Sequence, residues 1–134
     1  MAPARSLTVA VSYATWERYQ TAVEELTGAG LSVMQSRRSV TDACLALGAV
    51  SPLASDLPAP VKARHGLPVR VERTAVADAA FLRFRLAGSE EQRAYATWAI
   101  EAHVRQAVRF WLSVGEEDRQ AVFRVVGLAR VLAL

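Results

Sequence analysis

The spacing of hydrophobic and polar positions changes at Ser12, in the first third of the chain. Apolar side chains first alternate with small residues from Ser6 to Val11, and this period of two predicts a half-buried strand. The buried side of that strand would carry Leu7, Val9 and Val11. From Ser12 onward apolar residues recur every three or four positions, which predicts a helix that begins at about Ser12 or Ala14 and ends at Thr27. Its buried face would carry Trp16, Tyr19, Val23 and Leu26.

A second helix is predicted from about Val40 to Ala49. Ser39 has the character of an N-cap, with Asp42 three residues further on. Two arginines, Arg37 and Arg38, precede this predicted start. The region 51–68 holds four of the five prolines and is predicted to be a linker or a long loop.

An extended pattern returns after the proline-rich region. Val69 and Val71 alternate with polar residues, and a second alternation covers 81–86. We therefore expect a β-hairpin whose strands are joined around Ala75–Ala79. The alternative is a helix from about Thr74 to Phe84, because the alanine-rich run within it favours helix.

The last third of the chain is predicted to be helical. Ser89 and Gln92 have the spacing of a capping box, and the long helix that they open would end at Gly115. A final helix, 116–134, has apolar residues on more than one face, which is typical of a dimer or partner interface. The order of elements predicts an α+β protein with a strand-helix-helix unit over 1–50, a linker over 51–68, and a hairpin with two helices over 69–134.

A short sequence recurs in both halves. Tyr13-Ala14-Thr15-Trp16 is repeated as Tyr95-Ala96-Thr97-Trp98. If this reflects a duplication, one chain would contain both copies of a strand-helix-helix unit; the poor match of the flanking residues favours coincidence.

The order strand, helix, helix over residues 5–50, with arginines before the second helix, resembles a ribbon-helix-helix DNA-binding domain. The resemblance implies that Ser6–Val11 pairs with the same strand of a second copy, and that the outward side chains of this ribbon face the major groove. It also implies that the start of the second helix anchors the DNA backbone. The candidate nucleic-acid-binding residues are Arg5, Ser6, Thr8, Ala10, Arg37, Arg38 and Ser39.

Composition is compatible with this expectation and does not require it. The chain of 134 residues has a formal net charge of +3 and a pI of about 9.6, and all but one of its 16 cationic side chains are arginine. Its one cysteine, Cys44, excludes an intrachain disulfide and is predicted to be a buried thiol. Because neither a signal peptide nor a membrane-spanning run is evident, we expect a cytoplasmic protein that does not contact a membrane.

No catalytic motif, cofactor-binding motif or metal-ligand spacing was found in the sequence. We therefore expect a protein that is not an enzyme and uses no cofactor. The favoured hypothesis is a DNA-binding transcriptional regulator or partition-type factor that binds duplex DNA as a homodimer. The alternative is a non-catalytic subunit of a larger complex that uses the apolar C-terminal helices to bind another protein.

Overall fold

The computed structural model describes residues 6–50, 66–86, 88–112 and 117. Its elements follow in the order β1 (Ser6–Val11), α1 (Tyr13–Gly28), α2 (Val33–Val50), β2 (Leu67–Glu72), α3 (Ala75–Arg83) and α4 (Ser89–Leu112). The α+β class is confirmed. The order is a strand followed by two helices, twice over. Apart from Glu117, the predicted final helix lies outside the described residues.

The first two elements form as the sequence predicts. Leu7, Val9 and Val11 are buried on one side of β1. Ser12 then caps α1, because its side-chain oxygen accepts a hydrogen bond from the Thr15 N–H at 3.3 Å. The helix ends where Gly30 adopts a φ of +111°, a left-handed conformation that costs glycine little.

The second helix begins seven residues earlier than predicted, at Val33. Ser32 and Gln35 form a reciprocal capping box, in which the Gln35 N–H donates to Ser32 Oγ at 3.1 Å and the Ser32 N–H donates to Gln35 Oε1 at 3.2 Å. Ser39 is therefore inside the helix, and the prediction that it caps the helix was wrong. The first turns were hidden because the buried residue there is the polar Ser36, whose hydroxyl donates to the Ser32 carbonyl at 2.8 Å.

The predicted hairpin was also wrong in its second half. Its first strand is β2, which extends back to include Leu67 and Pro68 of the predicted linker. The second half is the helix α3, which is the alternative that the alanine-rich run favoured. Thr74 caps α3 by accepting from the Ala77 N–H at 3.0 Å, and the buried side of the helix has helical spacing. That side carries Val76, Ala77, Ala80 and Phe81.

The two strands form an antiparallel sheet within one chain. The register pairs Leu7 with Val71 and Val9 with Val69, so that both strands bury their valines on the same face. The resemblance implied that β1 would pair with β1 of a second copy. In this structure β2 takes that position, so the two-stranded ribbon is complete in a single chain.

Helices of the first half of the chain pack against helices of the second half. α2 packs along α4, α1 packs on α4, and α3 packs on α2. Gly48 lies at the α2–α4 crossing, where a Cβ atom would stand 3.1 Å from the Ala99 Cβ. Tyr95 is fully buried beside it and donates its hydroxyl to the Leu45 carbonyl at 2.7 Å. The predicted buried thiol is confirmed, because Cys44 belongs to the same core.

The two halves therefore repeat one order of elements, a strand followed by two helices. The first helix of each half starts after its strand with a hydroxyl cap, Ser12 or Thr74. The repeated Tyr-Ala-Thr-Trp sequence does not follow this relation, since one copy starts α1 and the other lies inside α4. Among the described helices, none has the length and the apolar content to cross a membrane.

Candidate nucleic-acid interface

The outward face of the β1–β2 ribbon is open to solvent. The helices cover the opposite face, where the strands bury their aliphatic side chains. On the outward face the register places Ser6 opposite Glu72, Thr8 opposite Arg70, and Ala10 opposite Pro68. Thr8, Pro68 and Arg70 are exposed, and the other three residues are partly exposed. Arg70 is the longest hydrogen-bond donor on this face.

Arg70 also borders a cluster of charged residues that α2 contributes. A pocket of about 260 Å³, which we call the arginine pocket, is lined by Met34, Arg37, Arg38, Arg70 and Glu72. The pocket is electropositive, since its three arginines outnumber its one glutamate. The Arg70 Nε to Glu72 Oε1 distance is 3.5 Å, and with 67 % of the Arg70 side chain exposed this ion pair holds the arginine weakly.

The placement of Arg37 and Arg38 follows from the early start of α2. Both residues lie in its second turn, while the neighbouring Ser36 and Val40 are buried against the core. The two arginines therefore lie on the exposed side of the helix. Within the described part of the chain neither of them forms an ion pair. Their guanidinium groups are available for an anion.

A buried carboxyl group lies next to the arginine pocket. Asp42, on α2, accepts a hydrogen bond from the Thr74 hydroxyl at 2.6 Å. Burial raises the pKa of Asp42 to about 7, and the Thr74 hydrogen bond and the nearby Arg38 charge oppose that rise. Asp42 thus joins the second helix of the first half to the cap of α3 in the second half.

A second contact of this kind joins α4 of the second half to the capping residue of α1 in the first half. Glu101, on α4, accepts hydrogen bonds from the Ser12 N–H at 2.7 Å and from the Ser12 hydroxyl at 3.2 Å. The Thr15 hydroxyl also donates to Glu101. Each half therefore supplies an acidic side chain to the capping residue of the other half, and these contacts hold the helices in a defined position under the ribbon.

The structure brings together only some of the predicted site residues. Ser6, Thr8 and Ala10 lie on the outward face of the ribbon, as predicted, while Arg5 lies outside the described residues. Arg37 and Arg38 are placed beside β2, in the second turn of α2 rather than before it. Ser39 lies in the helix interior and is not a lining residue of the arginine pocket.

The main residue that the sequence did not identify is Arg70. Its alternation with Val69 and Val71 indicated a strand, but nothing local indicated that this strand pairs with β1. The Asp42–Thr74 pair was missed for the same reason, since 32 residues separate its members. The described residues include no group of three or more histidine, cysteine, aspartate or glutamate side chains that could hold a metal ion.

Comparison of the chain with protein-family models, with curated proteins and with solved structures found no match.

Proposed function

We propose that this protein binds duplex DNA through the outward face of the β1–β2 ribbon and acts as a transcriptional regulator or partition-type factor. The observation that carries the proposal is the ribbon itself: two antiparallel strands with an exposed outer face, continuous through Arg70 with the arginine pocket. A two-stranded ribbon has the width of the major groove of B-DNA, and its outward side chains can meet base edges there.

Two kinds of contact are expected from this surface. Arg70, opposite Thr8 on the outward face, is placed to donate to a base edge or to a phosphate at the groove. Arg37 and Arg38 lie beside the ribbon, where charge-assisted hydrogen bonds to the sugar-phosphate backbone would orient the protein. The short side chains of Ser6, Thr8 and Ala10 allow the ribbon to approach the floor of the groove closely.

The proposal in this form does not need a second copy of the chain to complete the ribbon. β1 and β2 already supply both strands. Homodimerisation through the predicted C-terminal helix stays a separate prediction, because that helix lies outside the described residues.

Fluorescence anisotropy with a labelled duplex at two salt concentrations tests the proposal. Binding is expected at low salt and should weaken as salt rises, because phosphate contacts release counterions. Arg70→Gln should cost about 1–3 kcal/mol of binding free energy. The matched control is Arg105→Gln, which removes the same charge from an exposed arginine on a different groove, between α1 and α4. Absence of binding at low salt, or equal losses in the two variants, would refute the proposal.

A further inference from the structure

Both walls of the arginine pocket adjoin one buried acidic side chain, Asp42. It lies one helical turn after Arg38 on α2, and residues four positions apart in a helix share a face. Its carboxyl group also accepts the 2.6 Å hydrogen bond from Thr74, which follows Glu72 of β2 by two residues. Asp42 is buried and is not a lining residue of the pocket. It can therefore act on an anion in the pocket only through its charge.

The charged groups that act on Asp42 are themselves lining residues of the pocket. The positive charge of Arg38, on α2, favours the ionised carboxylate, and the negative charge of Glu72, on β2, opposes it. From the cap of α3 the Thr74 hydroxyl donates to it, and on its own helix the Cys44 thiol stays neutral because burial raises its pKa. In the described part of the chain, α1 and α4 supply no charge that shifts the pKa of Asp42.

The protonation state of Asp42 changes the net charge around the pocket. The three arginines and one glutamate that line it carry a formal charge of +2. Ionised Asp42 lowers this total to +1, and protonated Asp42 leaves it at +2. Burial raises the pKa of Asp42 to about 7, so the change falls near neutral pH. Because the carboxyl group is buried, salt screens its charge less than that of an exposed group.

We propose that the proton on Asp42 controls how tightly the arginine pocket holds a DNA phosphate, so that the protein binds duplex DNA more tightly below neutral pH than above it. This inference rests on the proposed DNA-binding function and adds its regulation. The ionised carboxylate repels a phosphate and offsets part of the positive charge of Arg38, whereas the protonated carboxyl does neither. The coupling is reciprocal, since a phosphate in the pocket favours proton uptake by Asp42.

The test measures binding of a labelled duplex by fluorescence anisotropy at low salt, from about pH 5.5 to pH 8.5. The full-length wild-type chain is compared with Asp42→Asn, whose amide oxygen still accepts from the Thr74 hydroxyl but does not titrate. The matched control is Asp78→Asn, the same substitution at an exposed carboxylate outside the pocket. All three proteins keep His65 and His103, so a titration of either histidine cancels in the comparison.

The Kd of the wild-type chain should rise about threefold to tenfold from the acidic to the alkaline end, as expected for one charge a helical turn away from a phosphate contact. Asp42→Asn should bind tightly at every pH, and Asp78→Asn should follow the wild-type profile. Circular dichroism at each pH verifies that the proteins stay folded. A wild-type Kd that does not change with pH, or the same pH dependence in Asp42→Asn, would overturn the inference and leave DNA binding intact.

The reciprocal effect gives a second readout, which a merely structural role of Asp42 would not change. The carbon-13 chemical shift of its carboxyl carbon, followed by NMR against pH, reports the pKa of Asp42. That pKa should rise by about 0.5 to 1 when a saturating duplex is added, which matches the expected change in Kd. An unchanged pKa would likewise overturn the inference. A wild-type chain that binds no duplex at low salt at any pH would instead overturn the proposed function.

Discussion

Asp42 should make the stability of this fold depend on pH, and one substitution should remove that dependence. The residue is 9 % exposed, and burial disfavours the charged form of its carboxyl group. In the unfolded chain the carboxyl has an ordinary pKa of 3.8, while in the folded protein burial raises the pKa of Asp42 to about 7. Between these two pH values the folded protein keeps a proton that the unfolded chain has released.

The sign and the size of the effect follow from this difference. Because the unfolded state binds fewer protons between about pH 4 and pH 7, the free energy of unfolding falls as pH rises through that range. A pKa difference of about 3 corresponds to about 4 kcal/mol. Asp42→Asn removes the titration, while its amide oxygen still accepts from the Thr74 hydroxyl. Relative to wild type, the variant should therefore gain about 4 kcal/mol between about pH 4 and pH 8.

Urea denaturation followed by tryptophan fluorescence, repeated from about pH 4 to pH 8, measures this gain. The matched control is Asp78→Asn, which removes an exposed carboxylate that pairs with Arg73. Its difference from wild type should change little over the same range, because an exposed ion pair contributes at most about 1 kcal/mol. If the difference between Asp42→Asn and wild type stayed constant with pH, the buried carboxyl could not be the group that titrates.

Three further predictions concern the core. Gly48→Ala should lower the unfolding free energy by about 1–3 kcal/mol, because the added methyl group overpacks the α2–α4 crossing. Gly28→Ala, with nothing within 4 Å, serves as its control, and a similar loss there in urea melts would contradict the packing argument. Tyr95→Phe should cost about 1–2 kcal/mol through the lost hydrogen bond to the Leu45 carbonyl, and a melt unchanged from wild type would count against it. The thiol of Cys44 should react with a thiol reagent only after unfolding, because it is fully buried and burial raises its pKa; fast labelling of the native protein would refute this.

Hydrogen bonds between the capping residues and two acidic side chains align the two halves of the chain. Thr74 bonds to Asp42, and Ser12 and Thr15 bond to Glu101. Each contact fixes the start of one half's first helix against the second helix of the other half. The outward face of the ribbon is therefore presented by a scaffold whose helices are tied together at two separate points.

Local signals predicted the elements whose apolar pattern is regular. β1 and α1 form within one residue of the expected bounds, and α4 starts at Ser89. The Gln92 side chain donates to the Leu86 carbonyl at 2.9 Å instead of forming the predicted capping box with Ser89. These elements need only an alternating or a helical stripe, and a cap that satisfies free N–H groups, to be recognised. The start of α2 was predicted wrongly because its buried stripe includes a polar residue. Ser36 is fully buried, and its hydroxyl donates a hydrogen bond to the Ser32 carbonyl.

The sequence allowed two interpretations of positions 74–84, a helix or part of a β-hairpin. The folded structure has the helix, which tertiary packing stabilises. A run such as Ala75–Ala80 has the composition of a helix, while the alternation over 81–86 suggests a strand. In the folded protein, α3 buries Phe81 edge-on against Tyr95, with ring centroids 5.9 Å apart. That contact joins residues fourteen positions apart and belongs to the tertiary fold, so a local pattern does not contain it.

The local sequence thus determined which segments form helices and strands, through the spacing of apolar residues, the capping residues and the placement of glycine. It carried no information on which strand pairs with which, because the register of an antiparallel pair depends on side chains that meet only after the chain has folded. The pairing of β1 with β2 brings Arg70 beside Thr8 and next to the α2 arginines. The candidate DNA surface forms only through that long-range contact. For this reason the sequence alone did not predict the half of the surface that β2 contributes.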